Sequence, residues 1–301
     1  MSIIIPSMMG LIYVSGAALP QIGLDAISRN GFVIDGLSAF YHAGNHDGNG
    51  NYITNSPFPN QLTDLTENEY SLSLYNFAGT SSSGANGDNT EGSESYIKFD
   101  NSNDYGKILI GNLTGVTKFT IQITVYISPW ASYKNIIKSG GWSVNRGFTI
   151  QYHWGETNFD IWENESSSGK FTFDSGQGLF NFALTFDNSL ETEADIYVDG
   201  ISQGTINRSM SGLIEDIFVG TSSGIDMRLY NLAIYNKKLS QAEVQQNYNA
   251  GLIWSSAPVI ERVFCTLSTE KFANNSVFSC KYNNNSLSVS KYTNSYLEVS
   301  S

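Results

Sequence analysis

The chain has 301 residues, 41% of them hydrophobic, 13% aromatic and 15% charged, with a net charge of −12. The aromatic content excludes a disordered polymer, and 16 basic against 28 acidic residues exclude a surface built to follow a phosphate backbone. Three His and two Cys leave little for a Cys/His zinc centre or a Cys/His nucleophile pair.

In chain order, Met1–Leu19 is apolar and rich in small residues, but the first basic residue is Arg29 and Pro6 interrupts the run. It therefore lacks the positive start of a secretory leader and is too short and broken to span a bilayer. We expect residues 1–29 to form an arm that packs on the body or on a neighbouring subunit; the alternative is a disposable leader. Gly79–Gly92, built largely from Ser, Gly, Asn and Asp, predicts a surface loop. Phe119, Ile121, Ile123, Val125 and Ile127 alternate with Thr120, Gln122 and Thr124, which predicts a strand with one dry and one wet face. Phe180–Phe186 repeats the pattern, and Asp199-Gly200 predicts a tight hairpin. Ser240-Gln-Ala-Glu243 is a capping box that opens a short helix ended by Gly251, and no other segment alternates with a helical period. Beyond it, Val263–Leu267 and Val277–Tyr282 read as strands, with a turn at Asn283–Asn285. Cys265 shares a face with Val263 and Leu267, and Cys280 with Phe278 and Tyr282, so both thiols are expected to point inward. They form a disulfide if the protein matures outside the cytosol and are two buried thiols otherwise. The expected class is all-β: a two-sheet antiparallel sandwich with one short C-terminal helix and a small β appendage.

Several stretches, in order, resemble the laminin-G-like jelly roll of the concanavalin A-like lectin and glucanase superfamily. They are Gly36–Tyr41 with Ala43-Gly44-Asn45, Tyr96–Asp100 with Asn103-Asp104-Tyr105, Phe119 to Trp130, Phe180–Phe186 followed by Asp195–Gly200, and Ile225–Ser240 with Glu243. The resemblance implies a jelly roll over residues 30–250, with 1–29 as arm and 251–301 as appendage. Tyr41-His-Ala-Gly-Asn45 followed by Asp64-Leu65-Thr66 looks most like copies in bacteriophage virion proteins, which implies a tail, fibre or head-decoration component on the particle exterior. Other virion subunits would then be partners of the arm.

Retaining glucanases of this superfamily resemble one another in a strand carrying Glu-x-Asp-x-x-Glu. Here that strand reads Asn158-Phe-Asp160-Ile-Trp162-Glu163, with an amide where the nucleophile belongs, so hydrolysis is not expected. The same strand is the best place for a ligand. Phe148–Trp154 and Asn158–Trp162 flank Gly155-Glu156-Thr157 as a hairpin, with Phe148, Ile150, Tyr152, Phe159 and Ile161 facing in. The other face carries Thr149, Gln151 and His153 beside Asn158, Asp160 and Trp162. Gln151, His153, Asn158, Asp160 and Trp162 are the candidate glycan-binding residues, an indole covering the apolar face of a sugar while planar polar groups bond its hydroxyls. The competing reading buries Trp162 under a loop or a neighbouring subunit. Asn45-x-Asp47-x-Asn49-Gly50 begins like a calcium loop but has Ser56 at its twelfth place, so it is expected to be a turn. Asp100 and Asp104 are a weaker candidate of the same kind. No cofactor, metal, nucleic acid or membrane is expected; a weak, multivalent cell-surface glycan is.

Overall fold

The computed structural model describes residues 23–255 apart from 67, 69, 110–117, 129–132, 142–145, 154, 164–165, 188–192, 208–215 and 221–223, and the backbone of strands within 271–300. For 140–141, 146, 161–163, 166–169, 193 and 207 it describes the backbone alone. The chain divides into two compact units, Pro20–Ala257 and a smaller one of Met1–Leu19 with Pro258–Ser301.

In the larger unit α1 (Gly23–Arg29) precedes β1 (Leu37–His42), and a 3-10 turn, Ala43–Asn45, follows. Five short strands come next: β2 (Gln61–Leu62), β3 (Leu72–Tyr75), β4 (Gly84–Gly87), β5 (Ser95–Asp100) and β6 (Tyr105–Ile108). The longer strands are β7 (Lys118–Ile127), β8 (Lys134–Gly141), β9 (Arg146–His153), β10 (Glu156–Glu163), β11 (Ser166–Asp174) and β12 (Gly178–Asp187). Then β13 (Glu193–Val198), β14 (Ile201–Asn207), β15 (Ile217–Gly220) and β16 (Asp226–Tyr235) lead into α2 (Gln241–Ala250). The first sheet has the order β14-β13-β12-β7-β16-β5-β4, with β1 also on β16; the second runs β11-β10-β9-β8-β15-β6-β3-β2. Every pairing is antiparallel. This is the expected two-sheet sandwich.

Alternation explains the core. Phe119, Ile121, Ile123, Val125 and Ile127 of β7 are all buried, in register with the inward Phe180, Phe182, Leu184 and Phe186 of β12. Across the sandwich Phe159 meets Phe182 edge-on at 5.8 Å and Phe119 meets Phe148 at the same distance. The Asp199-Gly200 turn joins β13 to β14 with φ of 52° and 75°, the double positive φ that such a two-residue hairpin requires.

Three sequence expectations change. Thr120, Gln122 and Thr124 are buried instead of wet: Thr120 bonds the Lys237 carbonyl and the Leu239 N–H just ahead of α2, Gln122 bonds the Val244 carbonyl on α2, and Thr124 bonds Asn231 and Asn181. A second helix, α1, adds Ala26 and Ile27 to a core on the outer face of the first sheet with Phe40, Tyr197, Tyr235, Val244 and Trp254. At seven residues it is too short to show a periodicity, and packing holds it in place. The loop expected at Gly79–Gly92 contains β4, which pairs with β5; the Asn55 amide donates to the Ala85 carbonyl and accepts from its N–H, standing in for a neighbouring strand. Such pairing is invisible to periodicity in a Gly/Asn run.

In the smaller unit β17 (Lys271–Phe272) pairs with β18 (Asn275–Ser276), while β19 (Phe278–Tyr282), β20 (Asn285–Thr293) and β21 (Tyr296–Ser300) form a three-stranded sheet. The segment Val263–Leu267 and the side chains of Cys265 and Cys280 lie outside the described residues. Among those residues no helix is long and apolar enough to cross a membrane.

Candidate functional site

The hairpin β9–β10 places the glycan-site candidates. Its register pairs Asn158 with Gln151, Phe159 with Ile150 and Asp160 with Thr149, so two sets of side chains sit on opposite faces, as alternation requires. The turn is one step earlier than expected. His153 pairs with Glu156, so Glu156 and Thr157 belong to β10, and Gly155 takes the positive φ of 86°.

Phe148, Ile150, Tyr152 and Phe159 are buried between the sheets. On the outer face Gln151 and His153 are half-buried, whereas Asn158 and Asp160 are only 1% and 8% exposed. Asn158 accepts a 2.8 Å hydrogen bond from the Thr172 hydroxyl, its neighbour on β11. Burial pushes the Asp160 carboxyl up, and Lys170, opposite it on β11, pulls it back. These two therefore lie below the reachable surface, and Gln151 and His153 are the accessible members. The side chain of Trp162 lies outside the described residues; its backbone pairs with Gly147 and Ser167.

Sequence reasoning missed Tyr133. It is 57% exposed and its ring lies parallel to the His153 imidazole, 3.8 Å between centroids and 11° between planes. Asn135 pairs with Gln151, extending the amides across β8. An exposed aromatic platform beside a row of carboxamides suits a sugar, whose C–H face stacks on a ring while its hydroxyls bond planar polar groups. Tyr133 stands just before β8, where no alternation flags it. The same outer face continues to Phe218 on β15, flanked by the ammonium groups of Lys107 at 5.3 Å and Lys138 at 5.5 Å.

The calcium-like loop is closed on itself. Asp47 Oδ1 accepts from the Asn49 and Asn51 N–H groups, Asp47 Oδ2 accepts from the Asn51 side chain at 2.6 Å, and Asn45 Oδ1 accepts from Gly50 N–H. Burial alone would raise the Asp47 carboxyl, but these donors hold it below the usual range. In the other turn Asp104 Oδ2 accepts from the Asp100 N–H and Asp100 Oδ1 from the Ser102 N–H. Among the described residues no group of three His, Cys, Asp or Glu is arranged around a common point.

No family model matches the chain, and no curated protein does. Solved structures do. The binding domain of botulinum neurotoxin DC in complex with rat synaptotagmin II superposes with a TM-score of 0.52 at 13% identity, over 87% of this chain and 75% of that one. The same domain in complex with SialylT gives the same figures. A structure described as a receptor binding domain gives 0.52 at 13% identity, over 90% and 76%. The likeness shows the fold alone.

Proposed function

We propose that the chain is a non-enzymatic carbohydrate-recognition module whose ligand lies on the outer face of β8, β9 and β10. The observation that carries this is the exposed Tyr133–His153 stack beside Gln151 and Asn135. Trp162, whose backbone lies on β10, is part of the proposed site as a candidate second aromatic, and the buried Asn158 and Asp160 stand on the same strand. An amide at position 158, tied to Thr172, supplies no glycosyl nucleophile. The neurotoxin binding domains of the same fold are described in complex with SialylT and with rat synaptotagmin II, which supports a recognition role for this one.

The setting we propose is the exterior of a bacteriophage particle, on the resemblance of Tyr41–Asn45 and Asp64–Thr66 to virion copies of the fold. Many copies would then raise a weak affinity by avidity. A glycan array and a pull-down on host cell envelopes test the recognition claim. Tyr133→Ala or Trp162→Ala should each weaken binding about tenfold, the scale of one lost aromatic contact. Full binding by both folded variants would remove this face, and a wild type that binds no glycan would leave an architectural subunit. Deleting residues 1–22, which keeps α1, should block incorporation into particles if the arm docks on neighbours; normal incorporation would sink that part.

A further inference from the structure

The helices and Trp254 cover only part of the outer face of the first sheet. Elsewhere on that face, Lys98 on β5, Arg228 on β16, Tyr126 on β7 and Leu179 on β12 stand in one cross-strand row. Tyr96 stands two residues from Lys98 on β5, on the same face, and Tyr230 occupies the bulge in β16. The Arg228 guanidinium lies over two rings, 4.9 Å from the centre of Tyr96 and 4.6 Å from that of Tyr126. Tyr230 packs at 5.4 Å from Tyr96, and Leu179 beside Tyr126 is 42% exposed.

The charges around it are unevenly satisfied. Asp226 is taken by Lys98, with which it forms a close ion pair, and by the Ser128 hydroxyl at 2.9 Å. Asp100 accepts from the Ser102 N–H. Among the described residues no carboxylate pairs with Arg228, although the whole chain carries a net charge of −12. A guanidinium held by aromatic rings is preorganised, and its unused N–H groups form a fork that fits an oxyanion. The Tyr rings and Leu179 supply an apolar bed beside it.

We propose that this patch is a second ligand site, which binds a saccharide bearing an oxyanion, carboxylate or sulfate, with Arg228 taking the anion and Tyr126 and Leu179 the sugar's apolar face. It extends the glycan reading to another face and rests on that reading only for the class of ligand. The test is titration of the full chain with trigalacturonate, a sulfated chondroitin disaccharide and neutral galactotriose, with inorganic sulfate as competitor. One or both acidic sugars should bind, more weakly as salt rises, and Arg228→Gln should lose at least tenfold, with Arg228→Lys between. In the wild type, the bound acidic sugar should move the Arg228 Nε–H and Tyr126 ring resonances, a readout that does not depend on a variant folding. Unchanged affinity in folded Arg228→Gln, resonance shifts confined to other faces, or displacement by sulfate at equal concentration would overturn the site. Loss of neutral-glycan binding in Tyr133→Ala with acidic binding retained concerns the other face alone; failure of every acidic sugar in a wild type that binds neutral glycans sinks this site alone.

Discussion

His42 is enclosed on all sides: Nδ1 accepts the Gly44 N–H at 2.9 Å, and its ring packs 5.2 Å from Trp254 and 6.4 Å from Phe40. Burial lowers its pKa from 6.5 to about 3, so the folded protein keeps it neutral where the unfolded chain takes up a proton. The sign follows from linkage. Stability from this residue is complete above pH 6.5 and falls by about 1.4 kcal/mol per pH unit as pH drops from there towards about 3. Denaturant midpoints measured across that window should fall more steeply for the wild type than for His42→Gln, by the slope of one proton. Gln keeps an acceptor for the Gly44 N–H and removes the titration. Equal slopes would show that His42 is protonated or exposed in the folded state.

At the scale of elements, α2 is held by its cap and by one buried amide. Ser240 accepts from the Glu243 N–H, and Glu243 accepts from the Ser240 N–H at 2.8 Å. Ser240→Ala should cost about 1 kcal/mol. Asn247 does more. Its Oδ1 accepts the Val33 N–H, and its Nδ2 donates to Gln122 Oε1 on β7 and to the Tyr235 hydroxyl on β16. Gln122 continues the chain to Asn181, Asn181 to Thr124, and Thr124 to Asn231. Asn247→Leu leaves several buried partners unmet and should cost about 3 kcal/mol, read as a shifted urea midpoint with an unchanged slope. A loss below that of Ser240→Ala would mean that water takes over these bonds.

At the scale of the whole molecule, the two inner faces and the helix-covered face both close within Pro20–Ala257. A fragment with those bounds should express as a folded β protein and unfold in one cooperative transition, followed by circular dichroism and by tyrosine fluorescence. Two transitions, or a collapsed state without fixed tertiary signals, would show that the sandwich needs the remaining residues to complete it.

Apart from Tyr105, which opens β6, the strands in the stretches that resemble a known fold fall on one sheet: β1, β5, β7, the β12–β13 hairpin and β16. That sheet was legible because faultless alternation, the Asp199-Gly200 turn and the Ser240–Glu243 cap are local, each written within a few residues. The facing of Gln151, His153, Asn158 and Asp160 was legible for the same reason, since a hairpin register follows from period two. What alternation cannot express is which polar face a distant element will cover. Gln122 and Thr124 have the pattern of solvated residues, yet both are buried, Gln122 against α2; Tyr126 and Arg228 stand on that same outer face and are only half-buried. Tyr133 meets His153 across 20 residues, and Arg228 meets Tyr96 and Tyr126 across three strands. Period and turn chemistry are properties of neighbours along the chain, whereas cover and encounter depend on where non-adjacent strands and helices come to rest, and that was decided by packing alone.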